Sequence, residues 1–123
     1  MVEKCQFDEI KQLAPLAAKA RVSVSNTTGT RWFKVVAGDQ IIGCGAVMKK
    51  KSPVGRIKGI FILEEYRGQQ YGLKLTEELI SYAKARFCKS FDLYTWHPEF
   101  WESIGCKKVG VNAHGAVRMI KKI

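Results

Sequence analysis

The stretch GIFILEEYRGQQYGLKLTEEL, residues 59–79, contains the local pattern that decides the fold. An apolar run is followed by a polar turn that includes Gly68 and Gly72, and then by leucines at helical spacing. We interpret these parts as a strand, a glycine-containing turn and a helix. The first N–H groups of a helix lack internal partners and carry partial positive charge, so this order of elements suits phosphate binding. Arg67 and Lys74 would add positive charge.

The rest of the chain predicts an α/β (α+β) layer structure in a single domain, residues 1–123. Helical spacing predicts a helix over 7–20, divided in two by Pro15, a long helix over 70–87, and one or two turns over 98–105. Gly43 and Gly45 indicate a bulge or a close approach within their strand. Strands are predicted at 31–37, 40–50, 56–63, 90–96, 106–111 and 116–123.

Composition limits the classes of protein that this chain can represent. Of the 123 residues, 46% are hydrophobic, which is ordinary for one globular domain. No apolar run approaches the ~20 residues that span a bilayer, and the first residues are too polar for a signal peptide. A cytoplasmic location is therefore expected. The four cysteines lie far apart, which predicts buried, reduced thiols and no metal site.

The charge of the chain predicts an anionic partner. The formal net charge is +10, and the window KKKSPVGRIK, residues 49–58, holds five basic residues and no acidic one. Such a surface attracts a nucleotide cofactor, nucleic acid or an acidic protein. A solvated basic surface that only keeps the protein soluble is the alternative.

The turn after the central strand resembles a known cofactor loop. Residues 67–72 read RGQQYG, which is similar to the Q/R-x-x-G-x-G/A pyrophosphate loop of the GNAT (GCN5-related N-acetyltransferase) acyltransferases. Residues 100–110, FWESIGCKKVG, are similar to the family's lYeklGF segment, and the order of elements matches from the first helix to the closing hairpin. The resemblance implies a mixed, mostly antiparallel sheet flanked by helices, and transfer of an acyl group from coenzyme A to an amine.

The resemblance also implies where acetyl-CoA binds. Backbone groups at the end of the central strand would position the thioester carbonyl, and loop amides would hold the pyrophosphate, with Trp101 against the pantetheine arm. The implied strand and loop residues are Ile60, Phe61, Ile62, Arg67, Gly68, Gln69, Gln70, Tyr71, Gly72 and Leu73.

Three residues depart from the family pattern. Gln70 replaces a glycine, and a positive φ at this position would strain it by about 1 kcal/mol. Trp101 replaces the tyrosine that protonates the leaving thiolate, and an indole N–H is not acidic enough to do so. Cys106 replaces a phenylalanine, a change in packing.

Three residues near the predicted thioester site are candidates for catalysis. An attacking amine must be neutral, so a base is useful. Asp92 is the first candidate, and it shares one strand face with Tyr94 and Trp96 by alternation; a surface aspartate paired with a lysine is the alternative. His97 is the second candidate, because an imidazole exchanges protons near neutral pH; it could equally be an exposed loop residue. Tyr94 could replace the missing acid.

Two other functions remain open at this point. The chain could be directed to nucleic acid through residues 49–58 and exposed aromatic side chains, either as a binder or as an enzyme that modifies a base. It could also be a GNAT-like domain that lost catalysis, as Gln70 and Trp101 suggest. The acceptor could be a small molecule, a protein or a base, and the chain could be a monomer or a homodimer.

Overall fold

The computed structural model describes residues 1–49 and 53–123, and in them one sheet carries helices on both faces. The α-helices are α1 Ala14–Lys19, α2 Tyr71–Ala85 and α3 Pro98–Ser103, and 3₁₀ turns cover Phe7–Glu9, Lys11–Leu13 and Glu64–Tyr66. The strands are β1 Val2–Cys5, β2 Thr30–Ala37, β3 Gln40–Lys49, β4 Val54–Ile62, β5 Ser90–Thr95, β6 Lys107–Val111 and β7 Val117–Lys122.

The strands lie in the order β1-β2-β3-β4-β5-β7-β6. β4 and β5 run parallel, and the other neighbouring strands are antiparallel, so the predicted mixed, mostly antiparallel α+β fold is confirmed. The described residues of β4 and β5 pair only where Val54–Arg56 lies beside Ser90–Asp92. Beyond Arg56 the two strands are no longer paired, which leaves a gap toward their carboxyl ends.

Each face of the sheet buries its own hydrophobic cluster. Leu75, Leu79 and Ala83 of α2 pack on one face against strand residues that include Phe91 and Leu93. On the other face, the N-terminal segment packs Ile10, Leu13 and Ala17 against Trp32 and Phe61. Side chains of a strand alternate between faces, so residues next to Phe91 and Leu93 point away from α2.

The N-terminal segment differs from the predicted helix over 7–20. β1, which was not predicted, pairs with β2, and two 3₁₀ turns precede a helix of only six residues. The Gln6 N–H donates to the Glu9 carboxylate at 2.8 Å, which closes a single turn at this point. Pro15 lies in the first turn of α1, where its missing N–H removes no helical bond, so it begins the helix instead of dividing one.

Helix α2 was predicted to run to Phe87, and this is wrong. The helix ends at Ala85, and the Phe87 side chain is 84% exposed with a left-handed φ of +66°. The Cys88 N–H donates to the Ala83 carbonyl at 3.0 Å and the Phe87 N–H to the Lys84 carbonyl at 3.0 Å. These two bonds are the Schellman cap, which turns the chain out of the helix before Phe87 can reach the core.

The predicted irregularity near Gly43 and Gly45 is confirmed as a bulge between β3 and β4. The register shifts between Cys44 and Ala46, so two residues of β4, Gly59 and Ile60, oppose one of β3. Gly59 adopts a left-handed φ of +66°, and a Cβ there would lie 2.6 Å from the ring of Trp32. Only glycine can occupy this position without strain or overlap.

The prediction of buried, free thiols is confirmed. Cys5, Cys44, Cys88 and Cys106 are free and buried. Burial raises the pKa of the Cys44 thiol to about 12, which keeps it protonated and unreactive at neutral pH.

In the described part of the chain, every helix is too short or too polar to cross a membrane.

Candidate functional site

The glycine turn connects β4 to α2 and borders a cavity of about 410 Å³. After Ile62 the chain makes the 3₁₀ turn and then two left-handed residues, Gly68 with φ +80° and Gln70 with φ +67°, before α2 begins at Tyr71. The predicted loop residues that line the cavity are Ile62, Arg67, Gly68, Gln70, Tyr71, Gly72 and Leu73.

The first turn of α2 has the features of an anion site. The Lys74 N–H donates to the Gln70 carbonyl at 3.1 Å and is the first helical hydrogen bond. The N–H groups of the three residues before it have no carbonyl one turn earlier, so they remain available to a ligand. A Cβ at Gly68 or Gly72 would meet no atom within 4 Å, so a ligand can approach the backbone closely.

The strain expected at Gln70 is present, because its φ of +67° lies in the left-handed region. Gln70→Gly should raise the free energy of unfolding by about 0.5 kcal/mol, which is the left-handed strain less the larger backbone entropy of unfolded glycine. It should also tighten coenzyme A binding, because Gln70 lines the cavity and glycine leaves more room. Urea unfolding and calorimetric titration measure the two effects. Gln69→Gly is the matched control, since Gln69 has no left-handed φ; an equal gain in that variant would contradict the strain argument.

The remaining predicted loop and strand residues take structural positions around the cavity. Gln69 is exposed and donates from Nε2 to the Glu65 carbonyl at 3.4 Å. The Arg67 Nε donates to the Ile62 carbonyl at 2.9 Å, which ties the loop to the strand end. Phe61 is buried in the cluster on the α1 face, and Ile60 packs against the cluster on the α2 face.

Trp101, which the resemblance placed against the pantetheine arm, does not line this cavity. It is 6% exposed and packs in the core, with its ring centroid 6.4 Å from that of Phe91. Among the described residues, Phe100 and Tyr66 line the cavity instead, and sequence reasoning missed both. Phe100 could have been found, because consecutive residues of a short amphipathic helix cannot both enter the core.

Asp92 is not the accessible base that was predicted, nor a surface aspartate paired with a lysine. Its side chain is 0% exposed, and it accepts two hydrogen bonds from Arg56 at 2.9 Å each. It accepts two more from Arg118, at 3.2 and 2.9 Å. A carboxylate held in charge-assisted bonds by two guanidinium groups is a poor proton acceptor.

Tyr94 and His97 lie at the open end of β5. Tyr94 is 43% exposed, and the Arg56 guanidinium carbon lies 5.1 Å from the centre of its ring. His97 is exposed at the N-terminus of α3, and its backbone N–H donates to Thr95 Oγ1 at 2.9 Å. Tyr94 shares the face of Asp92, as alternation predicted.

The 49–58 window does not form one exposed basic patch among the described residues. Residues 50–52 lie outside them, so nothing follows for two of the five basic residues. Arg56 pairs with Asp92, and Lys58 is half-buried and donates to Thr27 Oγ1 at 2.7 Å. Lys49 is exposed at the end of β3. The described part of this window therefore offers nucleic acid fewer exposed cations than the sequence indicated.

Comparison with known proteins places the fold. A family model described as the acetyltransferase (GNAT) family matches residues 3–106. No curated protein sequence is significantly similar to the chain.

Three solved structures illustrate the likeness in fold. A putative acyl-CoA N-acyltransferase from Klebsiella pneumoniae is 22% identical, with 99% of this chain and 96% of that chain covered and a TM-score of 0.81. A Mycobacterium tuberculosis protein in complex with CoA and NLQ is 14% identical, with 100% and 99% covered and a TM-score of 0.84. The aminoglycoside 6'-N-acetyltransferase from Enterococcus faecium is 17% identical, with 99% and 96% covered and a TM-score of 0.82.

Proposed function

Because this chain belongs to the GNAT acetyltransferase family, we propose that it is an N-acyltransferase that uses acetyl-CoA to acylate an amine. The observation that carries the proposal is the cavity at the first turn of α2, with its left-handed loop and free backbone N–H groups. Its glycine positions and its charge fit a pyrophosphate. The M. tuberculosis neighbour was crystallised with coenzyme A, which accords with this choice of cofactor.

The residues of the chain would divide the work of binding. The backbone N–H groups from Gly68 to Leu73 would hold the pyrophosphate, with Arg67 adding charge. The gap between β4 and β5 beyond Arg56 would receive the pantetheine arm, and the strand end at Ile60–Ile62 would orient the thioester. Acetyl-CoA supplies the acetyl group: a C–N bond forms to the neutral amine, the C–S bond breaks, the amine nitrogen loses one proton and the thiolate gains one.

The proton transfers would fall to residues at the end of β5. With both carboxylate oxygens of Asp92 bonded to guanidinium groups, His97 is the better candidate to accept the proton of the amine. Tyr94 is the candidate to protonate the thiolate, since Trp101 carries no acidic proton. A thiol with an ordinary pKa near 8.5 is also a fair leaving group without an acid.

The substitution Gly72→Ile should weaken acetyl-CoA binding by about tenfold or more, because the added side chain would enter the cavity that Gly72 lines. A Cβ at this position meets no atom within 4 Å, so the fold should tolerate the change. Isothermal titration calorimetry measures the affinity, and thermal unfolding checks the fold.

The matched control for this experiment is Gly110→Ile. Gly110 also has open space around it, but it lies in the exposed strand β6, away from the cavity. Unchanged affinity in both variants would place the cofactor elsewhere. Failure of the parent protein to bind acetyl-CoA at millimolar concentration would reject the function. Binding without turnover of any amine would instead support a domain that has lost catalysis.

A further inference from the structure

The sheet face opposite α2 carries a cluster of cationic side chains where β4 and β5 separate. Arg56 and Arg118 point to this face, since their neighbours Ile57 and Met119 are buried in the cluster on the α2 face. Both guanidinium groups contact Asp92 through Nε and one terminal nitrogen. The other terminal nitrogen of each is therefore not committed to this carboxylate. Their side chains are 23% and 34% exposed.

The charge at this cluster is positive. Two guanidinium groups share the one carboxylate of Asp92, which leaves an excess of one positive charge. Among the described residues, Arg21, Arg56 and Arg118 form no ion pair with a carboxylate other than Asp92. The pKa of the neighbouring Lys58 is lowered, first by burial and then by the positive charge of Arg56.

Two exposed aromatic rings hold the arginines of this face in place. The Arg56 guanidinium stacks over Tyr94 at 5.1 Å, and the Arg21 guanidinium stacks over Trp96 at 4.9 Å. Such stacking leaves the in-plane N–H groups of a guanidinium free to bind a carboxylate or phosphate. A Cβ at Gly115 would lie 3.5 Å from the Trp96 ring, so the turn before β7 lies beside this ring.

Arg21 is the left-handed residue of the Schellman cap that ends α1, where its N–H donates to the Ala18 carbonyl at 3.0 Å and the Val22 N–H donates to the Ala17 carbonyl at 2.9 Å. Its φ is +62°, a left-handed value that glycine would adopt freely. The cap accounts for this φ, and the place of Arg21 at the end of α1 brings its guanidinium group to Trp96.

We propose that the acceptor amine carries a carboxylate or phosphate group, and that Arg21, Arg56 and Arg118 bind this anion beside the gap between β4 and β5. The inference rests on the proposed function, because it places the acceptor next to the thioester. The proposed acceptor differs from that of the aminoglycoside 6'-N-acetyltransferase, because three arginines would repel a polycationic amine.

The test compares pairs of amines that differ only in the anion: phosphoethanolamine with ethanolamine, and β-alanine with β-alaninamide. Thiol release from acetyl-CoA should give a kcat/KM about tenfold higher or more for the anionic member of at least one pair, and the lowest value for kanamycin. The pair with the larger ratio distinguishes phosphate from carboxylate. Equal rates within both pairs, or preference for kanamycin, would overturn the inference while leaving the proposed function intact.

A second measurement does not depend on acetyl-CoA. In NMR titrations, the indole N–H signal of Trp96 and the Nε–H signals of Arg56 and Arg118 should shift with phosphoethanolamine or β-alanine and not with their neutral partners. Arg21→Gly should weaken this binding severalfold without lowering the melting temperature, because glycine suits the left-handed φ. Arg21→Lys should retain part of the affinity. Absence of these shifts, or binding that Arg21→Gly leaves unchanged, would refute the anion site whatever the cofactor result.

Discussion

Replacement of Asp92 by asparagine should lower the free energy of unfolding by about 3 kcal/mol. Removing one partner of a buried ion pair leaves the remaining charge uncompensated, at a cost of about 3–5 kcal/mol. We expect a cost at the lower end of this range, because the Arg56 and Arg118 side chains are 23% and 34% exposed and can recover some hydration. Asparagine has nearly the volume of aspartate, so the loss would reflect charge and not a cavity. Urea unfolding followed by circular dichroism measures the change.

The matched control is Asp39→Asn, the same chemical change at an exposed residue beside the β2–β3 turn. An exposed substitution of this kind should alter stability by less than about 0.5 kcal/mol. A small effect at both positions would mean that the two arginines do not depend on Asp92. An effect of Asp92→Asn on turnover at unchanged stability would instead return Asp92 to a catalytic role.

Gly59→Ala should destabilise the protein by about 3 kcal/mol. A left-handed φ strains any L-residue by about 1–2 kcal/mol, and overpacking of a core adds about 1–3 kcal/mol. Both apply at Gly59, where φ is +66° and the new Cβ would lie 2.6 Å from the buried Trp32 ring. Thermal and urea unfolding measure the loss. Turnover should fall as well, because a displaced bulge would shift the adjoining strand end at Ile60–Ile62, which we propose orients the thioester.

Gly110→Ala provides the comparison, since Gly110 is a strand glycine with open space and no left-handed φ. Alanine there should be neutral or slightly stabilising, because it reduces the backbone entropy of the unfolded chain. If Gly59→Ala proved as harmless as Gly110→Ala, the bulge would not need glycine.

The sequence was informative where structure depends on neighbours along the chain. The loop from Arg67 to Gly72 could be placed because a strand, two glycines and a helix follow one another within 21 residues of sequence, 59–79. The left-handed φ of Gln70 could be anticipated because the resemblance places a family glycine at this position. Helix α2 was found from its own periodicity, and only its last turn was misjudged, because the cap depends on backbone bonds that periodicity does not record.

The sequence was uninformative where the structure depends on contacts between residues far apart in the chain. The burial of Asp92 follows from Arg56 and Arg118, which lie 36 and 26 residues away and meet only when β4, β5 and β7 assemble. β1 is four residues long, and its burial pattern shows no alternation, so only its pairing with β2 identifies it as a strand. That Trp101 and not Phe100 enters the core depends on Phe91, whose ring centroid lies 6.4 Å from that of Trp101 in the folded chain.

The short pairing between β4 and β5 has a mechanical consequence. Three register pairs of described residues join the two antiparallel halves of the sheet, β1–β4 and β5–β7. We therefore expect the sheet to separate first at this junction between β4 and β5. Arg56 and Asp92 form the last of these register pairs, so their ion pair lies where the pairing of β4 with β5 ends. Side-chain bonds at this point oppose separation of the two strands. Arg118 of β7 also bonds to Asp92, so three strands are connected here. The two halves of the sheet are therefore joined by backbone pairing at Val54–Arg56 and Ser90–Asp92, and beyond these residues they are connected through side chains packed against α2.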